Sequence, residues 1–403
     1  MLHIADFNNF YSTTGGGVRT YHTHKMEYMQ GRDDVQYTLF LSSDRNAIED
    51  HGNNTRLVHL PAVPVPGADH YRYVLASTDL GHHVAKLRPD IIEVGSPYIA
   101  PWIARAAAKR CGALLVGFWH ADYPRAYAGR YAGQLHPALG PLAHDVAWWY
   151  AKQTYGRYTA TFAAADCVVQ ELWARGIPRV FQTPLGVDTE RFHPQHRDPE
   201  LRSSVGASDG RPLLFFPHRL IEEKGLSQLL DAFPRIWNAH RPVLVFAGIG
   251  PGQAKLDAFM ANHEDVHHLG FITDPKLMAR WYASADAVFA LSAFETFGLS
   301  AAEAMASGNA LIAANAGAAA EWATKSDCGV LVPYGDADAL AAETIAFLSS
   351  QRLEQCGLNA RSFAARHFNW TRAFDRMMDF YQTIHDAGSA ERLSPEPRRW
   401  LPT

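Results

Sequence analysis

Long hydrophobic runs are missing from this chain: the longest, such as Leu213 to Pro217 and Val243 to Ala247, fall far short of the roughly 20 residues that span a bilayer. That pattern describes a chain that does not cross a membrane. Cysteine is scarce. Cys111, Cys167, Cys328 and Cys356 lie far apart with no paired spacing, which suits reduced core thiols in a cytosolic protein and argues against a disulfide frame or a zinc site. Neither sign of charge is in surplus, since 37 basic and 41 acidic residues leave a formal net charge of -4. No general basic field exists to recruit nucleic acid, so no nucleic-acid partner is expected. The opening MLHIADF lacks the basic region and long apolar stretch of a signal peptide, and a cytoplasmic location is expected. Low-complexity segments and repeats of solenoid length are absent too.

What is present is a soluble globular composition, 47% apolar and 19% charged, over 403 residues. That length implies two domains rather than one core. Short apolar runs alternate with longer amphipathic stretches, the rhythm of an α/β fold with parallel strands covered by helices. In the first half the pattern predicts strands at Leu2–Asp6, Gln36–Leu41, Ile91–Val94, Leu114–Trp119 and Cys167–Val169. Helices are predicted at Val18–Gln30, Ile99–Arg110 and along the aromatic segment Pro137–Ala165. The Pro-, Gly-, Asp- and Arg-rich stretch from Thr183 to Arg211 interrupts the rhythm and marks the junction. Two Rossmann-like domains follow, 1–188 and 189–369, with an irregular tail over 386–403.

Several loops at strand ends carry residue types suited to a nucleotide ligand. Gly15-Gly16-Gly17 stands between the first strand and the helix near Val18, where the lack of Cβ atoms lets main chain approach an anion, or simply makes a flexible turn. After the apolar run Leu213–Phe216 comes HRLIEEKG, His218 to Gly225. Arg219 supplies a bidentate fork and Lys224 a compact point charge, a pair suited to a diphosphate; the alternative is a solvated loop whose charges pair with Glu222 and Glu223. Gly248 opens the turn after Val243–Ala247, where main chain packs on a ligand or a neighbouring loop. Glu295 and Glu303 are eight positions apart, about 12 Å along one continuous helix and less if Glu295 sits in the preceding loop. The amides of Phe297, Gly298 and Leu299 are expected to open that helix and face a negative group between the two acids. His120, followed by Asp122 and Tyr123, emerges after Leu114–Trp119, either as a hydrogen-bonding group for an acceptor or as a satisfied edge histidine.

Taken in order, these segments resemble the retaining family 4 glycosyltransferases of the GT-B fold. The resemblance runs from Gly15 to about Glu321 through the GGG-V-R loop, PLGVD at Pro184–Asp188, RLIEEKG at Arg219–Gly225, AGIGP at Ala247–Pro251, LGF at Leu269–Phe271, and the two glutamates. It implies two domains facing each other across a donor cleft, with the last helix, Trp370–His385, packing back on the first domain. Arg219 and Lys224 would hold the diphosphate, Glu303 the ribose and Glu295 the transferred sugar. Gly16 and Gly17 would close over the phosphate, and the main chain near Phe271 would hold the base. The resemblance further implies a UDP- or GDP-sugar donor, retention of configuration without metal or other cofactor, and a departing diphosphate that takes the acceptor proton. His218, Gly308-Asn309-Ala310 and Gly317-Ala318 depart from the usual family pattern.

HADYPRAYAGRY, from His120, is similar to a segment of the branch that glycosylates lipids, such as sulfoquinovosyl and mannosyl transferases. This implies a lipid or glycolipid acceptor as an alternative to a sugar, and peripheral contact with the inner membrane face. Arg105, Lys109, Arg110, Trp148, Trp149 and Tyr150 are candidates for that contact, or for an ordinary helix face and core. Two other functions share the fold, a nucleotide-sugar epimerase and a non-catalytic sugar-nucleotide binder. The two glutamates favour transfer over the first, and the presence of both Lys224 and Glu303 disfavours the second.

Overall fold

The computed structural model describes residues 1–8, 16–65, 68–74, 78–208 and 210–399. The chain divides into two compact units, one of Met1–Pro184 with Thr371–Thr403 and one of Leu185–Trp370. Each is built on its own sheet with helices in the crossovers, the α/β class that the alternation of runs predicts.

The first unit has strands β1 (Leu2–Asn8), β2 (Val35–Ser43), β3 (Ala47–His51), β4 (Thr55–Val65), β5 (Ala68–Val74), β6 (Ile91–Val94), β7 (Leu114–Phe118), β8 (Ala160–Ala163) and β9 (Val180–Gln182). Their order is β3-β4-β2-β1-β6-β7-β8-β9, with β5 also paired to β4. β3 and β5 run antiparallel to β4, and the other pairings among the described residues are parallel. Its helices are α1 (Gly17–Gln30), α2 (Thr78–Lys86), α3 (Ala100–Cys111), α4 (Gly129–Leu135), α5 (Leu139–Tyr155) and α6 (Asp166–Ala174).

Two expectations are corrected here. Pro137–Ala165, expected as one helix, contains α5, a turn and then β8, while Cys167–Val169, expected as a strand, lies inside α6. All four residues of β8 are buried, with β7 on one side and β9 on the other, whereas Val168, Val169 and Leu172 form the inner face of α6. A short apolar run carries the same signal for a buried strand and a buried helix segment, and the flanking strands decide between them.

The second unit has strands β10 (Leu213–Phe216), β11 (Val243–Phe246), β12 (Val266–His268), β13 (Ala287–Ala290), β14 (Ala310–Ala314) and β15 (Gly329–Val332). Between and around them lie α7 (Pro199–Ser204), α8 (Leu226–His240), α9 (Gln253–Met260), α10 (Pro275–Ser284), α11 (Leu299–Ala306), α12 (Ala318–Ser326), α13 (Ala337–Ser349) and α14 (Leu353–His367). β10, β11, β13 and β14 are buried along their whole length, without polar alternation, as strands of a parallel sheet covered on both faces must be. α8 lays Leu226, Leu229, Leu230, Phe233 and Ile236 against them, a spacing that forms one apolar stripe. Strand order is β12-β11-β10-β13-β14-β15, all parallel. The direction of winding therefore reverses between β10 and β13, the place where open α/β sheets leave a crevice at the strand carboxyl ends.

α15 (Trp370–Ala387) carries the chain into its final stretch, which is counted with the first unit. Phe380 packs against Phe162 and Phe181, and Tyr381 against Phe162. Within 386–403, Pro395 and Arg398 run beside β9: the Arg179 amide donates to the Pro395 carbonyl at 2.9 Å, and the Gln182 amide to the Arg398 carbonyl at 2.8 Å.

Candidate functional site

The charged residues of the second unit converge on its switch point. β10 ends at Phe216 and leads through His218 and Arg219 into a short turn at Glu222–Lys224; β13 ends at Ala290 and leads to Glu295. Lys224 Nζ donates to Glu295 Oε1 at 2.6 Å and to Glu223 Oε1 at 3.0 Å. Its first partner was expected beside the sugar and Lys224 itself on the diphosphate, so the fold brings two separately read motifs into one ion pair. Burial opposes ionisation of Glu295, but the Lys224 ammonium outweighs it and holds the carboxyl below its ordinary range. Lys224 is likewise pushed up, burial being overcome by Glu295 and Glu223. The pair stays partly accessible, at 14% for Lys224 and 22% for Glu295. Arg219 is exposed and near enough to add to the positive field at Glu295.

Close main-chain packing holds this edge together. Gly248 has φ 137°, and a Cβ there would lie 2.2 Å from the His218 carbonyl oxygen. The Leu220 amide donates to the Ile249 carbonyl at 3.2 Å and the Gly252 amide to the Leu220 carbonyl at 2.8 Å. Gly248 therefore packs on the loop that carries His218. His218, one of the departures from the family pattern, is a strut: Nε2 donates to the Phe289 carbonyl at 2.7 Å, which leaves Nδ1 to accept from the Ser300 hydroxyl at 3.3 Å. Burial, aided by Lys224, lowers its pKa to about 4 and keeps the ring neutral. The strut links β10 to β13 and α11.

α11 opens at Leu299, so Phe297 and Gly298 precede it rather than form its first turn. Phe297 is buried against Trp322 and Phe368, and its carbonyl accepts from the Trp322 indole at 2.7 Å. Gly298 caps the helix at φ 73°, and the Ala302 amide closes onto its carbonyl at 3.0 Å. Glu295 thus sits in the loop and Glu303 on the helix. Burial raises the Glu303 carboxyl to about 7, with the Tyr282 hydroxyl and Arg191 pulling the other way. Phe271 lies in the loop after β12 and is exposed.

In the first unit, Gly16 caps α1 at φ 109° and Gly17 begins it; both are exposed, with nothing within 4 Å of where a Cβ would stand. Gly15 lies outside the described residues. His120 follows β7, its ring stacked on Phe118 with centroids 4.0 Å apart, and burial depresses its pKa well below the ordinary value. Gly95 makes room for it, since a Cβ there would lie 3.0 Å from the ring. Asp122 is buried and paired with Arg125, while Tyr123 is buried against Trp119 and Tyr98. Those two support the loop from inside.

A fully buried charge cluster in this unit has no counterpart among the sequence readings. Lys25 Nζ donates to Asp6 Oδ2 at 2.7 Å, Glu93 Oε1 at 2.9 Å and Tyr381 Oη at 2.9 Å, and Tyr37 donates to Asp6 Oδ2 at 2.8 Å. The available signal was an acid inside each of two apolar strands, Asp6 in HIADFN and Glu93 in IIEV, because a charge in a buried strand needs a partner.

Two family models cover successive parts of the chain: Glycosyltransferase Family 4 over residues 15–191 and Glycosyl transferases group 1 over 197–363. A GDP-mannose-dependent phosphatidylinositol dimannoside mannosyltransferase of Mycobacterium tuberculosis is 28% identical over 381 residues, 94% of this chain and 95% of its own. A GDP-mannose-dependent alpha-mannosyltransferase of the same species is 28% identical over 299 residues, 73% of each chain. A sulfoquinovosyl transferase of Arabidopsis thaliana is 29% identical over 238 residues, 58% of this chain and 44% of its own. The fold matches that of a sucrose-phosphate synthase from Thermosynechococcus elongatus with a TM-score of 0.75 at 17% identity, covering 96% of this chain and 100% of that one. Two tiled domain matches, GT-B neighbours and charged loops gathered at a switch point lead to one conclusion: the chain belongs to the family 4 glycosyltransferases of the GT-B fold.

Proposed function

We propose that the protein moves a hexose from a nucleoside-diphosphate sugar, GDP-mannose first among those to test, to a hydroxyl of a lipid or glycolipid, with retention of configuration and without a metal ion. The observation that carries this reading is the accessible Lys224–Glu295 pair at the switch point, with Arg219 beside it. As the bond between sugar and diphosphate breaks, negative charge grows on the leaving group. Arg219 meets it with a fork and Lys224 with a point charge already held in place by Glu223. Glu295, kept ionised by Lys224, faces the positive charge developing on the sugar. The departing diphosphate takes the proton of the acceptor hydroxyl. Glu303 accepts from the ribose hydroxyls, and the main chain near Phe271 holds the base. The relatives' named donor and acceptor support GDP-mannose and a lipid-linked acceptor. Among the described residues no helix is long and apolar enough to cross a membrane, so contact with a lipid acceptor would be peripheral, at the cytoplasmic face.

A thermal-shift series with GDP-mannose, UDP-glucose and the free diphosphates tests the donor, because a ligand bound to the native state raises its apparent stability. GDP-mannose is expected to give the largest shift; no shift with any nucleotide sugar would overturn the reading. Proton NMR of the product should show the donor's α-configuration, and inversion would remove the retaining mechanism. Turnover is expected to persist in EDTA; loss restored by a divalent ion would contradict metal independence.

A further inference from the structure

Two loops must keep a fixed spacing for the Lys224–Glu295 pair to form, the one after β10 that carries Lys224 and the one after β13 that carries Glu295. His218, six positions before Lys224, joins them. Its Nε2 donates to the Phe289 carbonyl at 2.7 Å, and its Nδ1 accepts from the Ser300 hydroxyl at 3.3 Å. Phe289 is the third residue of β13 and Ser300 the second of α11, so one ring brackets the segment 290–299, with Glu295 near its middle.

The ring has little freedom. It is 8% exposed and meets Phe216 edge-on, with centroids 4.9 Å apart. A carbonyl only accepts, so the Phe289 bond fixes the proton on Nε2 and leaves Nδ1 as the acceptor for Ser300. With its pKa lowered to about 4, chiefly by burial, the ring keeps this neutral tautomer at pH 7.

Other bonds support the middle of the segment from α12. The Ala318 amide donates to the Glu295 carbonyl at 2.9 Å and the Trp322 indole to the Phe297 carbonyl at 2.7 Å. Gly317 lies close beneath, since a Cβ there would stand 3.0 Å from the Ala293 carbonyl oxygen. Two of the three departures from the family pattern, His218 and Gly317-Ala318, therefore meet on the loop that bears Glu295. Only the first of them belongs to the Lys224 loop as well.

That link matters when a donor arrives. Lys224 then turns from Glu295 to the diphosphate, and the ion pair between the two loops is given up. The His218 bonds involve none of the exchanged atoms and persist. We infer that His218 is a positioning residue, which through Phe289 and Ser300 fixes where the Glu295 carboxylate stands once Lys224 has turned to the donor. This rests on the place of Glu295 beside the transferred sugar in the proposed function, and it adds the group that keeps it there.

The rate of GDP release from GDP-mannose at saturating donor, for which water serves as acceptor, tests it beside calorimetry with free GDP. His218→Phe keeps a ring and removes both bonds. Its kcat should fall roughly 100-fold, the cost of a group misplaced by about 1 Å, while GDP affinity stays within about twofold of wild type. His218→Gln, whose amide both donates and accepts, should recover kcat to within about tenfold of wild type, and Ser300→Ala, which loses one bond, should lower it about fivefold. Nitrogen-15 spectra of the wild-type ring at pH 7 should show the Nε2–H tautomer.

Equal losses of kcat and GDP affinity with a lowered unfolding midpoint would make His218 a structural strut only and overturn the inference. Wild-type kcat in His218→Phe would overturn it too. Should that variant fail to fold, Ser300→Ala decides, and wild-type kcat there or an Nδ1–H tautomer in wild type removes the clamp. If wild type releases diphosphate from neither GDP-mannose nor UDP-glucose, the proposed function falls and this inference with it. Release by wild type with undiminished kcat in the variants confines the failure to His218.

Discussion

Each unit places a lysine between two carboxylates near a point where its strand order reverses. In the first, Lys25 lies between Asp6 on β1 and Glu93 on β6, all fully enclosed, with tyrosines taking up further bonds. In the second, Lys224 lies between Glu223 and Glu295 and remains accessible. The charges are alike and their surroundings are opposite. Enclosure makes the first trio a structural fastening, because every donor direction of the lysine is used within the unit. Accessibility leaves the second able to exchange a protein partner for a ligand.

The widest gap between the two should come from removing each lysine. Lys25→Met leaves two buried carboxylates without a counter-charge and should cost about 3–5 kcal/mol in chemical denaturation. Little change in the unfolding midpoint would show that the cluster fastens nothing. Lys224→Ala should do the reverse, lowering kcat about 10²–10³-fold, as for loss of one charge-stabilising donor, with a thermal midpoint close to wild type. Unchanged turnover would remove Lys224 from the mechanism, and a collapse in stability would erase the contrast.

Glu303→Ala should weaken nucleotide binding by roughly 1.5–3 kcal/mol in calorimetry, the range for a lost hydrogen bond to a charged group. Equal affinity would end its ribose role. Because burial raises this carboxyl to about 7, wild-type affinity should fall as pH drops through that value, where the acceptor becomes protonated. Glu303→Gln should flatten the profile; an unchanged slope would place the titrating group elsewhere.

The smallest test uses one histidine beside each trio. His22 and His218 are both lowered from 6.5 to about 4, chiefly by burial. The unfolded chain thus takes up the proton first. Stability is fully present above pH 6.5 and declines as pH falls toward 4, by at most on the order of 3 kcal/mol for each ring. Denaturation midpoints compared across that interval should shift less in His22→Gln than in wild type. Equal slopes would mean that the His22 ring does not titrate on unfolding.

Legibility followed the distance between partners. The loops bearing Arg219, Lys224 and Glu295 were readable because each follows a short buried strand and carries charge or glycine soon after it, and Glu303 lies on the helix that the last of them opens. The Lys25 cluster was not, since one of its members, Tyr381, stands 356 positions from Lys25. β8 and α6 were exchanged for a related reason: ATFA and CVV are both short apolar runs, and only the neighbours β7 and β9 make the first a strand. The antiparallel strands β3 and β5 lie at the border of the sheet beside β4, where weak alternation in AIEDH gives little local signal.

By itself, then, the sequence determined the α/β class, the charged loops after β10 and β13 and the family, because these depend on periodicity and on residue types close together along the chain. Tertiary structure decided which lysine is sealed and which is open, that Glu295 pairs with Lys224, that Tyr123 turns inward and Trp149 outward, and that Glu303 titrates near neutrality. Those properties are set by burial and by the field of residues remote in sequence, and neither exists until the chain has folded.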